Sequence, residues 1–246
     1  MNTKQSVIRP VAVGSIGAFF SARRSFAGRV RLPQFAVLGL AAACTLFNTG
    51  CVVGRRTVAL PVPTIGSDGA SKGEMFIGTV TDARQFENTP ASPSTPSIDG
   101  DATKLTVEER AVFIGRQRNG FGKAMGDIAL PANDSVVQRA RLLLEEGLRR
   151  RGYQVSKDQA AANSAEVVID EFWAWFTPGM WSVTFEAKVT CTITIKKADT
   201  VTKLTINGYG SNQGQMASDE NWQLAYNRAF TDFLLKLDPE LAKAGL

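Results

Sequence analysis

The chain has 246 residues with 28 basic side chains, 23 acidic side chains and no histidine. Residues 1–50 hold six of the basic residues and no acidic one, which leaves 22 basic and 23 acidic residues in the remainder. The excess of positive charge therefore gives no support for nucleic-acid binding, and the lack of histidine excludes Ser-His and Cys-His nucleophiles and histidine metal ligands.

Residues 1–50 have the features of an export signal with a long basic n-region. The basic part extends to Arg31, and an apolar h-region of 13 residues covers 35–47. As a helix it would span about 20 Å, which is short of the ~30 Å hydrocarbon core. We therefore predict a cleaved signal peptide. A membrane-spanning segment over 32–53 is the alternative, although it would contain a proline and two polar amides.

Two of the three cysteines, Cys44 and Cys51, lie at the end of this leader. The sequence Asn48-Thr49-Gly50-Cys51 resembles the lipobox of bacterial lipoproteins, although Asn48 replaces the usual leucine. The resemblance implies lipidation of Cys51, with a diacylglyceryl group on the thiol and an acyl chain such as palmitate on the new amino group. Cys44, which follows three alanines, is the rival site. An ordinary secretory peptide with an accidental cysteine is a further alternative.

The rest of the chain divides into a linker and one domain. Residues 51–73 contain prolines and glycines without a period, which indicates a lipidated tether. Residues 74–246 are predicted to form a single domain. Within it, residues 87–104 are rich in proline, serine and threonine and are predicted to be a disordered loop; a glycosylated stalk is the alternative.

Two helices are predicted in this domain. The first covers 135–151, with Ser135 as its N-cap and Gly152 directly after its end. The second begins after the N-cap Ser218 and presents an apolar face until Asp238-Pro239, where the proline is expected to stop it.

The strongest strand signal is residues 181–197, where every odd residue from Trp181 to Ile195 is apolar and every even residue is polar. This period predicts a long strand with one buried face and one solvated face. Strands at 165–176 and 201–213 are expected to flank it. The fold class is therefore predicted to be α+β, a mostly antiparallel sheet of about five strands with two helices packed on one face.

The segment 172–181, FWAWFTPGMW, is unusually aromatic. Simple alternation places Trp173 and Trp175 on the face opposite Phe172 and Phe176, so some aromatic surface is expected to be exposed. Core packing with cross-strand aromatic pairs is the alternative. The candidate partner or ligand contacts are Trp173, Trp175, Phe176 and Met180.

No catalytic constellation is predicted. Asp170 and Glu171 are neighbours expected on opposite faces of a strand, and acid–base chemistry needs two carboxyl groups that converge across a cleft. Cys191 lies on an apolar strand face and is expected to be a buried, inert thiol. We therefore predict a non-enzyme with no metal and no cofactor, and a hydrolase is the minor alternative.

The lipobox-like leader, the helix that ends in RRRGYQV (149–155), the strand AEVVIDEF, the long alternating strand and the final aromatic helix together resemble the YajG-type bacterial lipoproteins. The resemblance implies a Gram-negative envelope lipoprotein of poorly defined role, with neither substrate nor active site. By the sorting logic of such lipoproteins, Val52 after Cys51 implies the outer membrane, with the domain facing the periplasm.

These observations favour a non-enzymatic accessory or scaffold for an envelope assembly, such as a transport, surface-polymer or flagellar apparatus. The expected partners are the membrane, through the lipid anchor, and an unidentified envelope protein, with no nucleic acid. The alternative is a lipid- or glycan-binding module that uses the aromatic hairpin 172–181.

Overall fold

The alternating segment and its two neighbours form the longest strands of the protein. The computed structural model describes residues 54–66, 70–159, 161 and 163–246, which belong to one compact unit. In this part of the chain one sheet contains the strands β1 (Arg56–Thr57), β2 (Gly73–Asp82), β3 (Phe113–Arg118), β4 (Ala124–Ala129), β5 (Tyr153–Ser156), β6 (Asn163–Pro178), β7 (Val183–Lys197) and β8 (Thr200–Gly214). The described helices are α1 (Val107–Arg110), α2 (Val136–Arg150) and α3 (Asp219–Lys243), with a 3-10 turn at Ala102–Lys104.

β6 is the central strand of the sheet. One of its edges pairs with β7 along the whole strand, and β8 continues the antiparallel order beyond β7. Its other edge is shared by two parallel neighbours, β2 along the first half and β3 at Gly115↔Ala174. β3 and β4 form an antiparallel hairpin, while β5 and β1 extend the sheet in parallel with β2 and β4.

The α+β class is confirmed, but the sheet is mixed and has more strands than the five predicted. The prediction of a mostly antiparallel sheet was wrong because four of the seven strand pairs are parallel. Parallel neighbours are joined by crossover connections rather than tight turns. Alternation along a strand reveals its two faces, but it carries no information about such a distant pairing partner.

A β-bulge at Asp170 changes the faces of β6. Ile169 lies opposite Cys191 and Glu171 lies opposite Thr190, so Asp170 is an extra residue on the β6 side. Such an insertion shifts the alternation of every later residue by one. The inward, buried residues are therefore Ala165, Val167 and Ile169 before the bulge, and Phe172, Ala174 and Phe176 after it.

Helices α2 and α3 cover the inner face of the sheet. The Phe185 ring meets Trp222 of α3 edge-on at 5.0 Å, and Phe172 stacks with Tyr226 at 5.3 Å. α3 lies so close to β8 that a Cβ atom on Gly210 would be 2.2 Å from the Ala225 carbonyl oxygen. Glycine is required there because the helix backbone occupies the space of a side chain.

α3 is longer than the sequence predicts. Its predicted stop at Asp238-Pro239 was wrong, because the helix continues through Pro239 to Lys243. The proline removes one intrahelical hydrogen bond. The residues beyond it bring Leu241 and Leu246 into the core, where both are buried, and this burial offsets the lost bond.

The chain joins the fold well before residue 74. The Gly54 amide donates to the Met125 carbonyl at 2.9 Å, and β1 then runs parallel to β4. Val58 and Leu60 are buried in the main core. Much of the segment 51–73, expected to be a tether, is therefore part of the folded unit from Gly54 onward.

Candidate functional site

The aromatic half of β6 is covered on its outer face by residues 83–105, which include the whole of the segment 87–104 that was predicted to be a disordered loop. Trp173 is 2% exposed and Trp175 is 9% exposed. The Trp173 indole Nε1 donates to the Pro93 carbonyl at 3.3 Å, and its ring meets Phe86 edge-on at 5.8 Å. The other apolar members of this outer cluster are Ile98, Ala102, Leu105, Val112, Phe113 and Ala129.

A buried arginine fastens this cover to the sheet. The Arg84 guanidinium forms an ion pair with Asp82 at 2.8 Å, and both side chains are buried. It also donates to the carbonyls of Phe113, Phe172 and Arg110 at 2.7, 2.9 and 3.1 Å. These bonds tie the start of the covering segment to three different elements, so the cover does not depend on apolar contacts alone.

A second cluster of charges fixes the middle of the cover. Arg116 donates to the Ile98 carbonyl and lies 3.5 Å from both Asp99 and Asp127. Burial raises the pKa of Asp127, although the Asp99 amide, which donates to it at 3.0 Å, and Arg116 oppose the shift. The arrangement pairs its charges internally and holds residues 97–99 against β3 and β4.

Phe176 belongs to the inner core. It is buried, and its ring lies 5.9 Å from the rings of both Phe185 and Trp222. The bulge at Asp170 explains why Phe176 lies beneath α3 while Trp175 lies beneath the outer cover. Of the four candidate contact residues, Trp173, Trp175 and Phe176 are therefore buried within this chain, and Met180 is exposed.

The exposed aromatic surface lies at the turn between β6 and β7. Met180 is 87% exposed and Trp181 is 88% exposed. The period-two pattern places Trp181 in the buried register, but this expectation was wrong because β7 begins at Val183. Trp181 lies in a turn closed by the Gly179 amide, which donates to the Ser182 carbonyl.

Two further apolar side chains belong to the same end of the sheet. Phe121, at the tip of the β3–β4 hairpin, is 98% exposed, and Met216, just after β8, is 62% exposed. We call Phe121, Met180, Trp181 and Met216 the apolar end. The sequence signal was available for Phe121, because Asn119-Gly120 is a turn dipeptide that places the next residue at a tip. No pattern marked Met216.

The outer face of β6, β7 and β8 beyond the cover is polar and paired. Lys196 contacts Glu166 at 2.7 Å, and Lys188 contacts Glu171 at 2.8 Å. Glu186 accepts hydrogen bonds from the Trp175 indole at 2.9 Å and from the Tyr209 hydroxyl at 2.8 Å. We call this surface the polar face. Two of its carboxylates pair with lysines on the adjacent strand, and Glu186 is held by neutral hydrogen-bond donors.

The bulge also corrects the placement of Asp170 and Glu171. The sequence prediction put them on opposite faces, but both accept bonds from the polar face of β7. Asp170 accepts from Thr192 at 2.8 Å, and Glu171 accepts from Thr190 at 2.5 Å. Although burial opposes it, the bonds from Lys188 and Thr190 lower the pKa of Glu171.

Cys191 lies in the core as expected, and burial raises the pKa of its thiol far above the usual range.

Within the described ranges, no three acidic or cysteine side chains converge as a metal site would require. None of the helices in this part of the chain combines the length and apolar character needed to cross a bilayer. The predicted lipidation residue Cys51 and its rival Cys44 lie outside the described residues.

These features define an α+β domain with a fully packed aromatic strand, a polar sheet face and an apolar end. A family model described as "uncharacterized lipoprotein" matches residues 117–244, just over half of the chain. The chain belongs to this lipoprotein family, and the expected kinship with YajG-type lipoproteins is confirmed.

Solved structures give remote likenesses. An uncharacterized protein is 8% identical over 77% of this chain and 98% of its own, with a TM-score of 0.40. A protein from Xanthomonas campestris is 9% identical over 78% of this chain and 99% of its own, also at 0.40. A neuraminyllactose-binding hemagglutinin homolog from Helicobacter pylori is 12% identical over 74% of this chain and 92% of its own, at 0.27. No curated protein matches the chain.

Proposed function

We propose that this lipoprotein is a non-enzymatic accessory or scaffold of an envelope assembly, anchored by acyl chains on Cys51 to the outer membrane and facing the periplasm. Membership of the lipoprotein family supports the anchor. The leader and the lipobox-like sequence before Cys51 support the site. The observation that carries the scaffold role is the polar face, a large and ordered surface whose charges are paired across strands.

The size and chemistry of the polar face suit a protein partner. Two of its strands, β7 and β8, have 15 residues each, or about 50 Å at the usual rise per residue. Its charges are held in place across strands, as in Glu166–Lys196 and Glu171–Lys188. Such a surface matches the scale of a standard interface, which buries about 800 Å² per partner.

The anchor is tested by the intact mass of the mature protein from membranes. We expect the wild type to begin at Cys51 with added acyl mass. Cys51→Ser should lose this mass and stay unprocessed, while Cys44→Ser, the matched control, should behave as the wild type. A wild-type chain that begins elsewhere without lipid would contradict the proposal.

The scaffold role is tested by photo-cross-linking in intact cells. A cross-linking amino acid replaces Thr192 or Thr205, whose hydroxyl oxygens lie 3.3 Å apart on the polar face. The control position is Leu235, which is exposed on α3. We expect a discrete protein adduct from both polar-face positions and not from Leu235. The same adducts from all three positions, or none from the polar face, would contradict a partner on this surface.

The alternative function, a lipid- or glycan-binding module, can use fewer residues of the hairpin 172–181 than the sequence suggests. Because Trp173, Trp175 and Phe176 are buried, the hairpin offers a ligand only its tip, Met180 and Trp181. Two exposed apolar side chains beside a turn suit contact with an apolar phase, and they provide no enclosed pocket for a sugar.

A further inference from the structure

We propose that the apolar end is a membrane-docking surface, which holds the domain against the same bilayer that receives the acyl chains. The occupant is the interfacial region of a phospholipid leaflet, and Phe121, Met180, Trp181 and Met216 enter it. This inference rests on the proposed anchor at Cys51.

Strand register brings the four side chains to one end of the sheet. β3 runs parallel to β6 with Arg116 opposite Trp175, so the hairpin after β3 and the turn after β6 lie at the same end. Phe121 borders the same surface cavity as Thr177 and Pro178. On the other side, Val183 pairs with Gly214, and Met216 follows two residues later.

The chain enters the fold from this same end. β1 is parallel to β4, and β4 begins at the hairpin that carries Phe121. Gly54 bonds to Met125, close to the start of β4. Gly54 therefore lies on the side of the hairpin tip.

The distance from the anchor to the fold is short. Cys51 and Gly54 are three residues apart, which gives a reach of at most about 11 Å. The polar headgroup layer on each side of a bilayer is about 5–8 Å thick. An acylated Cys51 would thus hold the start of β1 within a few ångströms of the lipid surface, next to the apolar end.

The chemistry of the end suits the interface. Tryptophan is enriched where membrane meets water, and apolar side chains stabilise peripheral binding by burial among headgroups and acyl chains. Arg55 and Lys123 are exposed nearby. Asp219 is paired with Arg56 at 2.9 Å, and Glu220 is adjacent. With Arg118, which borders the same surface cavity as Phe121, these side chains leave an excess of positive charge, so attraction to anionic headgroups adds to the apolar contact.

The opposite end of the same strands is different. Lys196 and Lys197 end β7 there, Asp199 lies in the turn, and Val201 of β8 is an exposed apolar residue. A bilayer would therefore distinguish the two ends, and Val201 offers a matched control position.

The test is the quenching of Trp181 by brominated lipid. The mature protein is reconstituted in vesicles of phosphatidylethanolamine and phosphatidylglycerol that carry bromine on the acyl chains near the headgroups. We expect a blue-shifted Trp181 emission that the brominated lipid quenches, and a loss of this quenching in Trp181→Phe. In the double variant Trp181→Phe, Val201→Trp, the new indole should emit as in water and escape quenching.

The outcomes separate this inference from the anchor. The intact mass is measured on the same samples. If Cys51 is acylated but Trp181 stays solvent-exposed, or is blue-shifted without quenching as in a protein contact, membrane docking is overturned and the anchor stands. If the acyl mass is absent, the proposed function fails, and this inference fails with it. Thermal melting of Trp181→Phe, expected to match the wild type, checks that the fold is intact.

Discussion

The two faces of β6 are buried by two different kinds of cover. On the inner face, α3 supplies a continuous apolar stripe that packs on Phe172 and Phe176. On the outer face, the irregular segment 83–105 covers Trp173 and Trp175 with few apolar side chains and several buried hydrogen bonds. The difference shows that a segment without periodicity can bury large aromatics when buried charges fasten it to the sheet.

The largest effect is expected beneath the helical cover. Trp222→Ala removes a fully buried indole that contacts both Phe176 and Phe185. We expect the free energy of unfolding to fall by about 4 kcal/mol, because the site loses burial and leaves a cavity. Urea denaturation followed by circular dichroism measures the loss. Leu235→Ala, on the exposed side of the same helix, is the control, and an equal loss there would contradict the prediction.

The second largest effect is expected in the irregular segment 83–105 that covers the outer face of β6. Arg84→Ala leaves the buried Asp82 carboxylate without its counter-ion and removes one donor from each of three carbonyls. We expect a loss of about 3 kcal/mol, together with faster protease cleavage within 87–104. Lys104→Ala, an exposed cation in the same segment, should change neither. If Arg84→Ala leaves protection of 87–104 intact, the fastening role assigned to Arg84 is wrong.

A smaller effect is expected where α3 meets β8. A methyl group at Gly210 would collide with the backbone at Ala225 and Ala229. We expect Gly210→Ala to lower the free energy of unfolding by about 1–3 kcal/mol, because the helix must shift. Gly120→Ala is the matched control, since a Cβ atom there meets nothing within 4 Å. Equal stability of the two variants would show that the helix is not tightly seated.

The smallest effect lies on the polar face, outside both covers. The pKa of Glu171 is lowered in the folded protein, so its ionised carboxylate contributes to the free energy of unfolding at pH values above the unfolded-state pKa. This contribution is lost as the pH falls through the folded-state pKa. Glu171→Gln should cost less than about 1 kcal/mol at pH 7, and the difference should vanish in acid. Chemical denaturation at several pH values measures it, with Glu108→Gln as control; a difference that grows in acid would contradict the assignment.

The helices and the long strand could be predicted from the sequence because their signals are local. Ser135 accepts the bond from the Gln138 amide, and Gly152 has a positive φ just after the C-cap residue Arg151, as the capping pattern indicates. β7 alternates between faces from Val183 onward. The lipoprotein family could also be predicted from the sequence, because the order and pattern of these elements are characteristic of YajG-type lipoproteins.

The outer cover and the mixed sheet depend on distant pairings that no local pattern reports. The bulge leaves only an ambiguous trace in the sequence: Val167 and Ile169 are odd and Phe172 and Phe176 are even, but Trp173 and Trp175 are apolar and odd as well. Reading that change of parity as one inserted residue would have placed Asp170 and Glu171 together. It would also have given Trp173 and Trp175 a covered face of their own.

The extra residue at Asp170 does not itself decide which side chains reach water. Ile169 pairs with Cys191 and Glu171 pairs with Thr190, so β6 without Asp170 would still turn Trp173 and Trp175 outward and Phe172 and Phe176 inward. The segment 83–105 alone therefore keeps the outer tryptophan pair from solvent, and the bulge supplies one additional carboxylate at the border of the polar face.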